Sequence, residues 1–99
     1  MDFRIDWSES AKNDLKNVVS YIAQEDPVAA LNFGEGIVAS VEQLERFPRS
    51  GRVVPEKGDD HLREIPYSPY RIVYEIDDAK RMVSIVRVWH TSRGKLELG

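Results

Sequence analysis

The ending Val86-Arg87-Val88-Trp89-His90-Thr91-Ser92-Arg93 concentrates the residue types best suited to chemistry in this chain. His90 is an imidazole that titrates near neutrality and can both take and give a proton. Arginine also recurs upstream, in Leu62-Arg63-Glu64-Ile65 and in Tyr70-Arg71-Ile72-Val73-Tyr74-Glu75-Ile76. Guanidinium groups stay charged, and their forked donors match phosphate oxygens. Arg63, Arg71, Arg87 and Arg93, with His90 alongside and Lys80 and Arg81 nearby, would together make a polyanion site. Tyr70 and Tyr74 would add surfaces on which bases stack. Glu56, after Pro55, is an acid in a loop leading toward this cluster, placed to act as base on a ribose 2′-hydroxyl. A base, cations and an acid are the parts that metal-free RNA cleavage requires.

A blander reading competes at every position. Taken singly, each arginine is half of a sheet-surface ion pair, Arg63 with Glu75 or Arg71 with Glu64, and His90 is a structural strand-end residue. His61 sits in a turn among acids and reads as solvated surface. Metal-ligand spacing, a Gly-rich phosphate loop and a Ser-His-Asp arrangement are all missing, and there are no cysteines. No metal or cofactor is therefore expected.

The elements that must position these groups follow from periodicity. Phe3, Ile5 and Trp7 alternate with Asp2, Arg4 and Asp6, which predicts a half-buried strand. Ser8 or Ser10 then caps a helix in which Ala11, Leu15, Val18, Val19 and Ile22 recur at helical spacing. Asp26-Pro27 starts a second helix reaching about Arg46, so the two form an antiparallel hairpin. Gly34 and Gly36 lie inside it, and close helix–helix approach is the expected reason. Phe47-Pro48-Arg49-Ser50-Gly51-Arg52 reads as an ordered loop and Lys57-Gly58-Asp59-Asp60 as a turn. Three strands follow from Leu62, the last two joined at Asp77-Asp78-Ala79-Lys80. The tail after Arg93 shows no periodicity.

The predicted fold is thus α+β, in the order β-α-α-β-β-β, with the helical hairpin on one face of a small, mainly antiparallel sheet. Regular alternation puts Val83, Ile85, Arg87 and Trp89 on one face of the last strand and Val86, Val88 and His90 on the other. Bringing Arg87 and His90 together would need a bulge near Trp89.

The 99 residues suit one domain, 1–99, and 41% hydrophobic with 31% charged residues is ordinary for a globular chain. No apolar run approaches membrane-spanning length and no secretory signal is visible, so a cytoplasmic protein without a membrane partner is expected. The net charge of −3 hides a split. Residues 1–45 hold three basic and nine acidic side chains, whereas residues 46–99 hold eleven and eight. Such asymmetry points to an anionic partner at the second half.

In its order of elements, its Phe47–Glu56 loop, its arginine-bearing strands and its terminal His-x-x-Arg, the chain resembles the RelE/ParE superfamily, the toxin halves of bacterial type II toxin–antitoxin modules. The resemblance implies growth inhibition held in check by a cognate antitoxin, which wraps a partly disordered segment around the toxin. A RelE-like member would cleave mRNA on the translating ribosome without metal, with Glu56 as base, Arg71 as phosphate stabiliser, His90 as acid and Arg63 and Arg87 as supporting cations. Thr91 departs from that branch, which favours an aromatic residue there, and the late tyrosine of RelE proper is missing after Tyr74. A ParE-like member would instead poison DNA gyrase with no hydrolytic residues of its own. The long hairpin from Ser8 to Arg46 and the modest net charge favour ParE, while Arg63, Tyr70, Arg87 and Arg93 are the expected binding residues in either branch. A third possibility is a toxin-like fold that has lost its poison and survives as an antitoxin-binding module.

Overall fold

The computed structural model describes residues 2–98. Strand β1, Arg4–Trp7, leads into helices α1, Glu9–Ala23, and α2, Pro27–Glu42. A 3-10 turn at Gln43–Glu45 follows, then β2, Arg52–Val53, β3, Leu62–Tyr67, β4, Tyr70–Asp77, and β5, Met82–His90. A second 3-10 turn, Thr91–Arg93, follows β5. The five strands lie in the order β1-β5-β4-β3-β2; β1 runs parallel to β5 and every other pair is antiparallel. The expected α+β layout is present, with one strand more than the periodicity indicated. Two residues are too few to register as alternation, so β2 was hidden in the loop after Phe47. No helix among the described residues is long and apolar enough to cross a membrane.

Both helices start where their caps allow. Ser8 Oγ accepts from the Ala11 N–H at 3.0 Å, and Asp26 Oδ1 accepts from the Ala29 N–H at 3.0 Å with Pro27 in the first turn. Ser8 also ties α1 to the sheet, since its N–H donates to the Ile85 carbonyl and its hydroxyl to the Val86 carbonyl. The main core lies between helices and sheet, where Ala11, Ile37, Val41 and Leu44 meet Ile72, Tyr74, Ile76, Val83 and Ile85. The opposite face is covered too. Val54, Leu62, Val73 and Trp89 pack there with Leu96 of the C-terminal tail, which is buried despite its lack of periodicity.

The β4–β5 register sets which side chains can meet. Tyr74 faces Ile85 but Val73 faces Arg87, so Val86 is one residue too many and the pairing shifts there. Val83 and Ile85 therefore share the helix-side face with Val88 and His90, not with Arg87 and Trp89 as regular alternation implied. The irregularity precedes Arg87 instead of following it. Arg87 and His90 consequently stay on opposite faces.

The two helical glycines serve different contacts. A Cβ on Gly34 would touch Val19 of α1 at 3.7 Å, consistent with helix–helix approach. A Cβ on Gly36 would run into the phenol of Tyr67 on β3, so that glycine makes room for the sheet instead.

Candidate functional site

Of the four arginines expected to share one hollow, Arg63, Arg71 and Arg87 are divided among separate carboxylates. Arg63 is clamped on the loop before β3: Nη2 meets Asp60 Oδ1 at 2.6 Å, and the guanidinium also donates to the carbonyls of Asp60 and Gly51 at 2.9 Å. Its expected partner Glu75 is not the one it takes. Arg49 extends this lock by bridging Asp60 and Asp78, and His61 Nε2 lies 3.2 Å from Asp78. The guanidinium groups hold the carboxyls of Asp60 and Asp78 below their ordinary range.

Arg71 lies at the centre of a second network on the face away from the helices. Its guanidinium donates to Glu56 Oε1 at 3.0 Å and to Glu64 Oε1 at 2.8 Å, while Arg52 Nε reaches Glu64 Oε2 at 2.6 Å. The Glu64 side chain is 0% exposed, so its charge is tolerable only because two guanidinium groups flank it. The Arg71–Glu64 pair was the ion pair anticipated for that position. Hydrogen bonding to Arg71 pulls the Glu56 carboxyl down to about 2 from 4.5. A carboxylate so acidic, with both oxygens facing a guanidinium, is a weak proton acceptor at neutral pH.

Arg87 turns the other way, around the edge that β5 exposes beyond β1. Its Nε and Nη2 meet the two oxygens of Asp14 at 2.7 and 2.8 Å, and both side chains are 11% exposed. Asp14 Oδ2 accepts in addition from the Val88 N–H at 3.0 Å, satisfying a strand-edge donor that no neighbouring strand reaches. Asp14 was not singled out from the sequence. Its signal was there: it falls three residues after Ala11 and four before Val18, on the inward side of α1, where a lone acid requires a partner.

His90 pairs with Tyr70 across the β4–β5 ladder, and Arg71 pairs with Trp89. Successive residues of a strand point to opposite faces, so the imidazole lies on the helix side and Arg71 with Glu56 on the other. The arrangement Glu56–Arg71–His90 is not assembled. Tyr74 is likewise unable to stack on a base: it is fully buried, donating to the Pro48 carbonyl at 2.7 Å and accepting from the Gly51 N–H at 3.0 Å. That burial raises the pKa of its phenol.

What the fold does bring together is Tyr70, His90 and Arg93. With Asp14, Asn17, Val18 and Val88 they line a hollow of about 210 Å³ between α1 and the end of β5. Tyr70 and His90 meet edge to face at 5.0 Å, and Tyr70 meets Phe33 of α2 at 5.4 Å. Arg93 lies 4.2 Å over the ring of Trp89, with Arg87 at 4.8 Å from the same ring. The described residues contain no cluster of metal-ligating side chains.

A larger hollow, about 550 Å³, runs between the two helices on their outer side. Leu15, Val19, Ala30, Leu31, Gly34 and Val38 form it, with Glu35 and Glu42 alongside. Leu31 is 61% exposed, and Tyr21 and Val28 are likewise open to solvent. These apolar side chains leave the groove between the helices open to solvent.

Comparison with known proteins agrees with this architecture. The family model for "ParE toxin of type II toxin-antitoxin system, parDE" matches residues 5–94. Toxin RelE2 of Caulobacter vibrioides is 32% identical over 88 residues, which span 88% of this chain and 93% of that protein. The chain therefore belongs to the RelE/ParE family of toxins from type II toxin–antitoxin systems. In fold it is similar to the chromosomal ParDE system of P. aeruginosa, with a TM-score of 0.73 at 19% identity over 89% of this chain and 95% of that one. The RelBE2 toxin–antitoxin complex of Mycobacterium tuberculosis gives 0.65 at 23% identity, over 91% and 99%.

Proposed function

We propose that this toxin acts as ParE does, arresting growth by binding and poisoning DNA gyrase, and that a cognate antitoxin neutralises it. The observation that carries this reading is the separation of Glu56 and Arg71 from His90. A base, a phosphate-stabilising cation and an acid must converge on one scissile bond, within about 3 Å of the atoms they serve. Here the first two neutralise each other on one face and the third lies on the other. A poison that works by occupying its target has no such requirement, and the family model that matches is that of ParE.

The antitoxin reading is supported by the interhelical groove and by what the similar structures contain. RelBE2 and ParDE are toxin–antitoxin pairs. An apolar groove flanked by two helices suits an amphipathic helix of the antitoxin, laid in through residues at helical spacing. Leu31→Asp should then weaken the toxin–antitoxin complex while leaving the isolated toxin folded, because Leu31 is already in solvent. A complex unchanged in pull-down and calorimetry would exclude this surface.

Purified chain added to a supercoiling reaction should inhibit gyrase or trap cleaved DNA, and Glu56→Ala should leave that inhibition intact. The alternative is ribosome-dependent mRNA cleavage, to which the RelE name of the 32% relative lends weight. It predicts codon-positioned cuts with translating ribosomes, lost in both Glu56→Ala and His90→Ala. Unimpaired growth on induction of soluble chain would refute both readings and favour a non-toxic antitoxin-binding module.

A further inference from the structure

Arg93, in the turn after β5, differs from Arg63, Arg71 and Arg87 in having no carboxylate among the described residues. Arg63, Arg71 and Arg87 each close on an aspartate or glutamate. The Arg93 guanidinium rests on the ring of Trp89 and makes no ion pair among the described residues. Arg93 is also one of the residues that line the hollow of about 210 Å³ described above. The one carboxylate in that wall, Asp14, is already occupied by Arg87 and the Val88 N–H. Glu97, whose charge acts on Arg87, does not line the hollow. Among the described residues, one positive charge is therefore left without a counterion at this point.

His90 supplies a second donor. Its Nδ1 accepts from the Ser92 N–H at 3.1 Å and lies 2.7 Å from Ser92 Oγ. An accepting Nδ1 leaves the proton of the neutral ring on Nε2. The Ser92 contact and the edge-on packing of Tyr70 fix the plane of the imidazole, so the donor is oriented before any ligand arrives. Val18 and Val88 provide apolar wall, and Asn17 adds an amide.

We propose that this hollow binds a carboxylate: the side chain of one aspartate or glutamate from a protein partner, held by Arg93 and by His90 Nε2–H, its methylene groups against Val18 and Val88. One free guanidinium matches one negative charge. A phosphate monoester carries close to two, finds no second free cation in the wall, and faces Asp14. The volume also admits one side chain in place of a nucleotide. That the carrier is a protein rests on the antitoxin reading; the chemistry of the hollow does not.

The test uses the intact, ¹⁵N-labelled chain, titrated with sodium acetate or methyl phosphate at constant ionic strength. Acetate should produce saturable shifts at Arg93 Nε–H, His90 Nε2 and the Asn17 amide. Arg93→Gln should weaken that binding about tenfold, the loss of one charge-assisted hydrogen bond, and Arg93→Lys should recover part of it. Absence of saturation at these groups, or equal binding by Arg93→Gln with its spectrum otherwise unchanged, overturns the site. Tighter binding of methyl phosphate than of acetate overturns the carboxylate assignment in favour of a phosphate ligand. Growth inhibition is scored separately, so a chain that binds acetate at Arg93 without stopping growth keeps the site and loses the toxin reading.

Discussion

Replacing Asp14 with alanine is the severest single test of how the sheet edge is held. The substitution strips Arg87 of both carboxylate contacts and leaves the Val88 N–H without its acceptor. Removing one partner of a buried ion pair costs about 3–5 kcal/mol, because the remaining charge is desolvated and uncompensated. Both side chains are 11% exposed, so the low end of that range applies. Alanine recovers roughly 0.5 kcal/mol through its higher helix propensity. A net loss of about 2.5 kcal/mol remains, against a stability on the order of 5–15 kcal/mol for a chain of 99 residues. Unfolding entropy near 2.1 cal/mol/K per residue converts that loss to a fall in Tm of roughly 12 °C. Calorimetry or thermal denaturation reads it directly. The double variant Asp14→Leu/Arg87→Met, which removes both charges, should lie closer to wild type than Asp14→Ala does. A fall below about 2 °C, or additive losses from Asp14→Ala and Arg87→Met, would refute the claim that the pair is coupled and buried.

Other consequences are open to measurement. Glu56 titrates near 2 in the folded chain and near 4.5 when unpaired, so its contribution to stability is complete above pH 4.5 and is lost as pH falls toward 2. Glu56→Gln should therefore trail wild type in chemical denaturation at pH 7 and converge with it near pH 2; a pH-independent gap would contradict the ion pair. Gly51→Ala places a Cβ 2.7 Å from the Glu64 carbonyl and 2.5 Å from Tyr74 Oη, both in the buried sheet, and should destabilise by about 2–3 kcal/mol in urea titrations. Gly36→Ala should cost less, since the phenol of partly exposed Tyr67 can swing aside; the reverse order would show that Tyr74 is the looser of the two rings. Leu96→Ala should lower stability by about 2–3 kcal/mol if the tail truly packs on Trp89 and Val73, and near-neutrality would mean that the tail does not seal that face.

Local signals determined much of the architecture. Ser8 and Asp26-Pro27 announced the helix starts because capping involves only neighbouring residues, and the alternation from Leu62 onward marked three strands because a half-buried strand must alternate. The resemblance to RelE/ParE toxins was likewise readable, since it rests on element order and on residues at strand positions. The site was not readable in the same way. Which arginine meets which acid depends on residues distant in the chain, Asp14 with Arg87 and Glu56 with Arg71, and side-chain type alone does not rank those pairings. The decisive step was the extra residue at Val86, which resets the faces of β5 and leaves His90 beside Tyr70 and apart from Arg71 and Arg87. A one-residue shift in a period of two inverts every later side chain, and only the pairing of whole strands decides where that shift falls.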